Sequence, residues 1–231
     1  VTQTIPIITI DGPGGSGKGT VAASIAKKLG YHLLDSGALY RLVGLAAVKR
    51  GISLQDETAL VPVVEQLAVE FRPSSQAERT LDVFLNGLDV TDELRLETSG
   101  EYASLVAAHP GVRTALLKRQ QTMLQAPGLV ADGRDMGTVV FPEAQVKIFL
   151  TASAEERAQR RYNQLIRKGE GVNLRALLAE IRARDERDIN RPVAPLKAAE
   201  GALILDSTSL TIVEVENAIL NYAKTTGLLS A

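Results

Sequence analysis

Ile7-Ile8-Thr9-Ile10-Asp11-Gly12-Pro13-Gly14-Gly15-Ser16-Gly17-Lys18-Gly19-Thr20 is the stretch on which the reading of this chain turns. A β-branched apolar run enters a glycine-rich turn, a lysine follows, and the chain continues in a helical pattern. That is the layout of a phosphate-binding loop. Glycines let backbone N–H groups converge on phosphate oxygens, and Lys18 adds a point charge. The helix starting near Lys18 offers its unpaired N–H groups to the same anion. In the usual pattern Ser or Thr follows the lysine directly; here Gly19 intervenes and Thr20 carries the hydroxyl. A flexible glycine turn without a ligand is the plain alternative, and the strand before and helix after the loop argue against it.

Outward from this loop, strand-like runs and amphipathic stretches alternate. Ile5 to Asp11 leads into a helix over Lys18 to Leu29. His32 to Asp35 leads into a helix over Ser36 to Arg50. Gly128 to Asp132, Val146 to Leu150 and Ala202 to Asp206 read as further strands, the last followed by a helix over Thr211 to Ala223. Alternation of this kind predicts an α/β fold, a five-stranded parallel sheet flanked by helices. Ligands of such sheets bind beyond the carboxyl ends of the strands, where Gly12, Asp35, Asp132 and Thr151 fall.

More than ninety residues separate the second and third of these strands, far beyond an ordinary crossover. Within them Val69 to Arg72 and Thr80 to Gly87 alternate at period two, joined by the polar Pro73 to Gln76. Asn86-Gly87 signals a hairpin turn into a short strand near Leu88 to Val90. Residues 36–127 are therefore expected to form an insertion of helices around a small antiparallel sheet. Residues 1–35, 128–153 and 172–231 would form the core. An Arg-rich lid would span 154–171, with Arg157, Arg160 and Arg161 ahead of the two-glycine segment Arg167 to Gly171.

Bulk properties narrow the class. The 231 residues suffice for a sizeable core. Charge is balanced, 26 basic against 27 acidic residues, so neither nucleic acid nor an anionic membrane is an expected partner. The absence of cysteine excludes disulfides and thiolate zinc sites. His32 and His109 are the only histidines, too few for a histidine metal cluster. No apolar run reaches membrane-spanning length and no signal-peptide pattern opens the sequence, so a cytoplasmic protein is expected.

Two further constellations carry chemistry. Arg184, Asp188 and Arg191 are spaced i, i+4, i+7 around a helical stretch over Leu174 to Asn190, so they are expected on one face. An intrahelical ion-pair row and a ligand-facing set of two guanidiniums and a carboxylate fit this spacing equally well. Asp132-Gly133-Arg134-Asp135-Met136-Gly137-Thr138 follows a strand at the place where P-loop enzymes keep an acid near magnesium; a turn-forming Asp-Gly is the alternative for Asp132. Leu34 to Arg41 supplies another helix N-terminus, with Ser36 a candidate cap and Arg41 one turn in.

Together, Asp11 to Thr20, Leu34 to Arg41, Ser104 to Arg113, Asp132 to Thr138 and Arg184 to Arg191 resemble, in order and across nearly the whole chain, the bacterial cytidylate kinase family. These are nucleoside monophosphate kinases whose core is similar to that of adenylate kinase. The Lys-Gly-Thr variant is common among them. Gln121, where the family often has Arg, and the hairpin around Pro73 to Arg79 depart from the pattern outside the proposed site.

The resemblance implies ATP-dependent phosphorylation of CMP and dCMP to CDP and dCDP, in pyrimidine metabolism, with Mg2+ accompanying ATP. Gly12, Pro13, Gly14, Gly15, Ser16, Gly17, Lys18, Gly19 and Thr20 would hold the triphosphate. Ser36, Ser104, Arg113 and Asp135 would surround the cytosine, and Arg184 and Asp188 the ribose. Arg41, Arg134 and Arg191 would surround the acceptor phosphate. Lys18, Arg134, Arg161 and Arg191 are the expected catalytic residues, with Thr20 and Asp132 reaching the metal through water and no direct protein ligand assigned. A monomer is expected. A kinase for UMP, AMP or a small metabolite, a nucleotide-dependent switch and a non-catalytic scaffold compete with this reading. The absence of an Asn-Lys-x-Asp element counts against a guanine-nucleotide switch.

Overall fold

The structure, a computed structural model, describes residues 4–73 and 81–229. Along the chain run β1 (Ile7–Asp11), α1 (Lys18–Leu29), β2 (His32–Asp35), α2 (Ser36–Lys49), α3 (Glu57–Glu65), β3 (Val69–Pro73), β4 (Leu81–Leu85) and β5 (Leu88–Asp89). There follow α4 (Glu97–Val106), α5 (Pro110–Gln121), β6 (Leu129–Gly133), β7 (Val146–Thr151), α6 (Ala154–Arg167), α7 (Leu174–Asn190), β8 (Leu203–Asp206) and α8 (Ile212–Thr225). They divide into two units, Val1–Asp35 with Gln120–Ala231, and Ser36–Arg119.

The first unit is built on a five-stranded parallel sheet in the order β2-β6-β1-β7-β8. β1 and β6 are buried at all five positions, as central strands without a solvent face must be. Edge strands β2 and β8 are largely open, and Ile204 on β8 is 64% exposed. Ile8, Ile10, Val130, Ile148 and Leu150 from the sheet pack with Val21 and Ile25 of α1 and with Val215 and Ile219 of α8. Each such side chain contributes about 1.5–3 kcal/mol by leaving water. α1 is closed by Gly30, which has a left-handed backbone and donates to Ala26 and Lys27 carbonyls. α8 opens on a capping box between Thr211 and Glu214, so Thr211, expected as the first helical residue, is the cap.

The second unit starts at Ser36, directly after β2. α2 and α4 approach so closely that a Cβ on Gly44 would lie 2.6 Å from the Cβ of Tyr102. The antiparallel sheet β3-β4-β5 turns at Asn86 and Gly87, with φ of 50° and 82°, the two positive φ values a tight hairpin needs. The link Ser74 to Gln76, the expected strand start at Thr80 and most of the departure around Pro73 to Arg79 lie outside the described residues.

The insertion expected over 36–127 differs from the observed unit at its end, because 120–127 group with the core. There the Gln121 amide donates to the Val140 carbonyl at 3.2 Å, and a His32 ring nitrogen lies 3.0 Å from the Ala126 carbonyl oxygen.

Candidate active site

The loop between β1 and α1 is shaped by close approach. A Cβ on Gly12 would lie 1.9 Å from the Leu150 carbonyl oxygen on β7, so no other residue fits. Gly17 caps α1 with φ 93°, a conformation that costs glycine little. Ser16 Oγ donates to the Pro13 carbonyl at 3.1 Å, while Ser207, beyond β8, donates to the Ser16 and Thr151 carbonyls. The turn is thus tied at both ends.

Lys18 folds back over this turn. Its Nζ donates to the Pro13 carbonyl at 2.8 Å and lies 3.9 Å from Asp132 Oδ1 at the end of β6. Burial, followed by the neighbouring Arg134 guanidinium, pulls its pKa down to about 7, with Asp132 opposing. The ammonium sits where positive charge is already crowded, an arrangement that an anionic ligand relieves.

Arg134 and Arg184 supply that crowding. A Cβ on Gly14 would come within 3.3 Å of Arg134 and 3.5 Å of Arg184, so both guanidiniums lie against the loop. Arg134 Nε donates to Asp188 Oδ2 at 2.9 Å. Burial alone would push the Asp188 carboxyl up, but Arg134, Arg184 and Arg191 together hold it below the usual range.

The expected shared helical face covers only Arg184 and Asp188. α7 ends at Asn190, and Arg191 takes extended backbone angles (φ −63°, ψ 141°) as the cap residue, so helical periodicity does not place it. The turn that follows does: Arg191 Nε donates to the Ala194 carbonyl at 2.5 Å and the Leu196 N–H donates to the Asp188 carbonyl at 2.8 Å. Arg191 is buried, and its charge acts on Asp188.

Asp135 is buried at the entrance to a π-helical turn, Met136–Val140, which the sequence did not suggest. Asp11 fixes that turn. Its carboxylate accepts the Met136 N–H at 2.7 Å and the Gly137 N–H at 2.8 Å. Burial pushes its pKa up to about 7 despite those bonds. An acid closing a buried, β-branched strand was the available signal, but no role for Asp11 followed from it.

Arg157, Arg160 and Arg161 of α6 have different partners. Arg157 points inward, donating to the Gly14 and Ala152 carbonyls and to both oxygens of Asp185. Arg160 reaches Glu156 and the Ser207 carbonyl. Arg161, half-buried, reaches Gln164 at 3.4 Å. Thr20 is exposed on the first turn of α1, beside Gly19, whose Cβ position is 3.3 Å from Asp132 Oδ2.

In the second unit, Ser36 is buried at the start of α2, and Arg41 donates to the Leu94 carbonyl at 3.2 Å. Ser104 is buried on α4. Arg113, on α5, is buried with its guanidinium 5.6 Å from the Tyr40 ring centroid and donating to the Ala107 carbonyl. That distance is within cation–π range of the ring.

The cytidylate kinase family model matches residues 8–225. The cytidylate kinase of Aeromonas salmonicida is 58% identical over 222 residues, 96% of this chain and 95% of that protein. That of Stutzerimonas stutzeri is 60% identical over 219 residues, 95% of each. Among solved structures, an uncharacterized protein from Eubacterium ventriosum matches with TM-score 0.50 and 11% identity, covering 96% of this chain and 99% of that one, a likeness of fold alone.

Proposed function

The chain belongs to the cytidylate kinase family, and from that premise we propose how its residues carry out the family's reaction. The protein is an ATP-dependent kinase that phosphorylates CMP and dCMP, giving ADP with CDP or dCDP. The observation that carries the assignment of residues is the convergence of Lys18, Arg134 and Arg184 on the glycine loop.

The acceptor is a phosphate oxygen already ionised at neutral pH, so the reaction needs no dedicated general base. Catalysis then depends on alignment and on neutralising charge as the phosphoryl group passes between two anions. Backbone N–H groups of Gly12 to Thr20 bind the donor phosphates, and Lys18 bridges them. Arg134 and Arg191 bind the acceptor phosphate with Arg41. Arg161 adds charge from α6 to the transferring group.

Mg2+ enters with ATP. Among the described residues no group of three or more His, Cys, Asp or Glu side chains is placed to cage an ion, and Mg2+ on nucleotide phosphates needs none, keeping several waters and one or two carboxylates nearby. Asp132, beside Gly19 and Lys18, suits that outer position, with Thr20 on the adjacent helix turn. The ion would neutralise phosphate charge there.

Cytosine presents an exocyclic amine beside ring acceptors. Asp135 accepts from the amine, and Arg113 donates to the carbonyl side, with Ser36 and Ser104 completing the base contacts. Uracil would set a carbonyl against the Asp135 carboxylate and leave it desolvated and unpaired. Arg184 and Asp188 take the ribose hydroxyls. One chain supplies every residue assigned here, and we read the enzyme as a cytoplasmic monomer. ADP formation from ATP measured with and without CMP tests the reading. CMP-dependent turnover is expected, and ATP consumption indifferent to CMP would overturn it.

A further inference from the structure

Arg157 stands out among the arginines near the loop because its guanidinium reaches the glycine loop, the residue after β7 and α7 at once. It is buried, and its Nε donates to the Ala152 carbonyl at 3.0 Å. One terminal nitrogen donates to the Gly14 carbonyl at 3.0 Å and to Asp185 Oδ1 at 3.0 Å; the other donates to Asp185 Oδ2 at 2.5 Å. The stem is engaged as well, since a Cβ on Gly15 would lie 3.4 Å from Arg157 Cβ. This is a forked, two-point ion pair, the geometry in which arginine is not replaceable by lysine.

We propose that the Arg157–Asp185 pair is a positioning clamp that sets the Gly14–Gly15 peptide for the donor phosphates and registers α7 against the loop. A trans peptide is planar, so holding the Gly14 carbonyl on Arg157 directs the Gly15 N–H to the opposite side, away from α6. Between two glycines, with Gly15 at φ 79°, no side chain resists a flip of that peptide. Arg157 supplies the resistance from outside the loop. Asp185 follows Arg184 on α7 and precedes Asp188 by less than one turn, so the same pair fixes the helix that carries Arg184 and Asp188. Arg157 therefore acts through Gly14 and α7, not on the transferring phosphoryl group, which separates it from the catalytic role expected of an Arg-rich lid.

The inference uses the kinase reading for its kinetic assay, and direct ATP titration without CMP tests it independently of turnover. Arg157→Met, Arg157→Lys, Asp185→Asn and the double variant Arg157→Met/Asp185→Asn would be compared with wild type, with thermal unfolding recorded for each. A clamp predicts that each single variant weakens ATP binding and raises KM for ATP by roughly 10- to 100-fold. Arg157→Lys would not rescue, and the double variant would be no worse than the worse single one. A fall in kcat with unchanged ATP affinity in Arg157→Met, alongside a wild-type-like Asp185→Asn, would overturn the clamp and place Arg157 on the phosphoryl group. Variants that melt earlier yet bind ATP as wild type would overturn it too, leaving the pair a role in stability only. Wild type that binds ATP but does not phosphorylate CMP would instead sink the kinase reading and leave the binding test intact.

Discussion

Arg134 Nε and Asp188 Oδ2 lie 2.9 Å apart, joining the loop after β6 to the last turn of α7, with side-chain exposures of 16% and 5%. The pair holds a guanidinium against the phosphate loop and a carboxylate among three arginines. It is part of the fold and, in the reading proposed above, part of the site.

Breaking it should therefore register twice. Asp188→Ala leaves Arg134 buried without its counter-charge and should cost about 3 kcal/mol of stability, read by urea unfolding, while raising KM for CMP. The folded-state pKa of Asp188 is lowered from 3.8, so its contribution is whole above that value and is lost as pH falls through the folded pKa. Wild type and Asp188→Asn should differ most near neutrality and converge in acid.

Lys18 carries a proton-linked signature. With its pKa near 7 in the absence of nucleotide, the amine is mostly neutral at pH 8, and polyphosphate beside it restores the ammonium. Binding of metal-free ATP at pH 8 should take up a sizeable fraction of a proton, measured calorimetrically in buffers of different ionisation heat. Binding heats independent of the buffer would contradict this state of Lys18.

Gly12→Ala should abolish ATP binding and destabilise the protein by on the order of 4 kcal/mol, because its Cβ meets the Leu150 carbonyl oxygen at 1.9 Å. Gly171→Ala, with nothing within 4 Å of its Cβ, serves as the control and should leave stability within about 0.5 kcal/mol of wild type. Chemical unfolding and nucleotide titration report on both.

Asp135→Ala should compress the preference for CMP over UMP by at least about 10-fold in kcat/KM, through loss of CMP activity and not a gain for UMP. An unchanged ratio would mean that the base is read elsewhere.

Local signals carried most of the fold. The apolar strand before Gly12, the glycines and the helical pattern after Lys18 lie within one short window, as do Asn86-Gly87 and the period of α7. Relationships across the chain were not legible in this way. Asp11 holding the Met136 and Gly137 N–H groups, or Arg157 bridging Gly14 and Asp185, joins segments that share no periodicity, so nothing in either sequence names its partner. Arg191 shows the converse failure. Spacing placed it on the helix, but the chain leaves helical geometry at that residue and returns it towards Asp188 through a turn.

The protein transfers the terminal phosphoryl group of ATP to a cytidine monophosphate. Steady-state kinetics with ATP and a panel of CMP, dCMP, UMP and AMP test it most directly. CMP and dCMP should be phosphorylated with kcat/KM well above UMP and AMP. Equal use of all four, or no turnover of CMP above UMP, would contradict it.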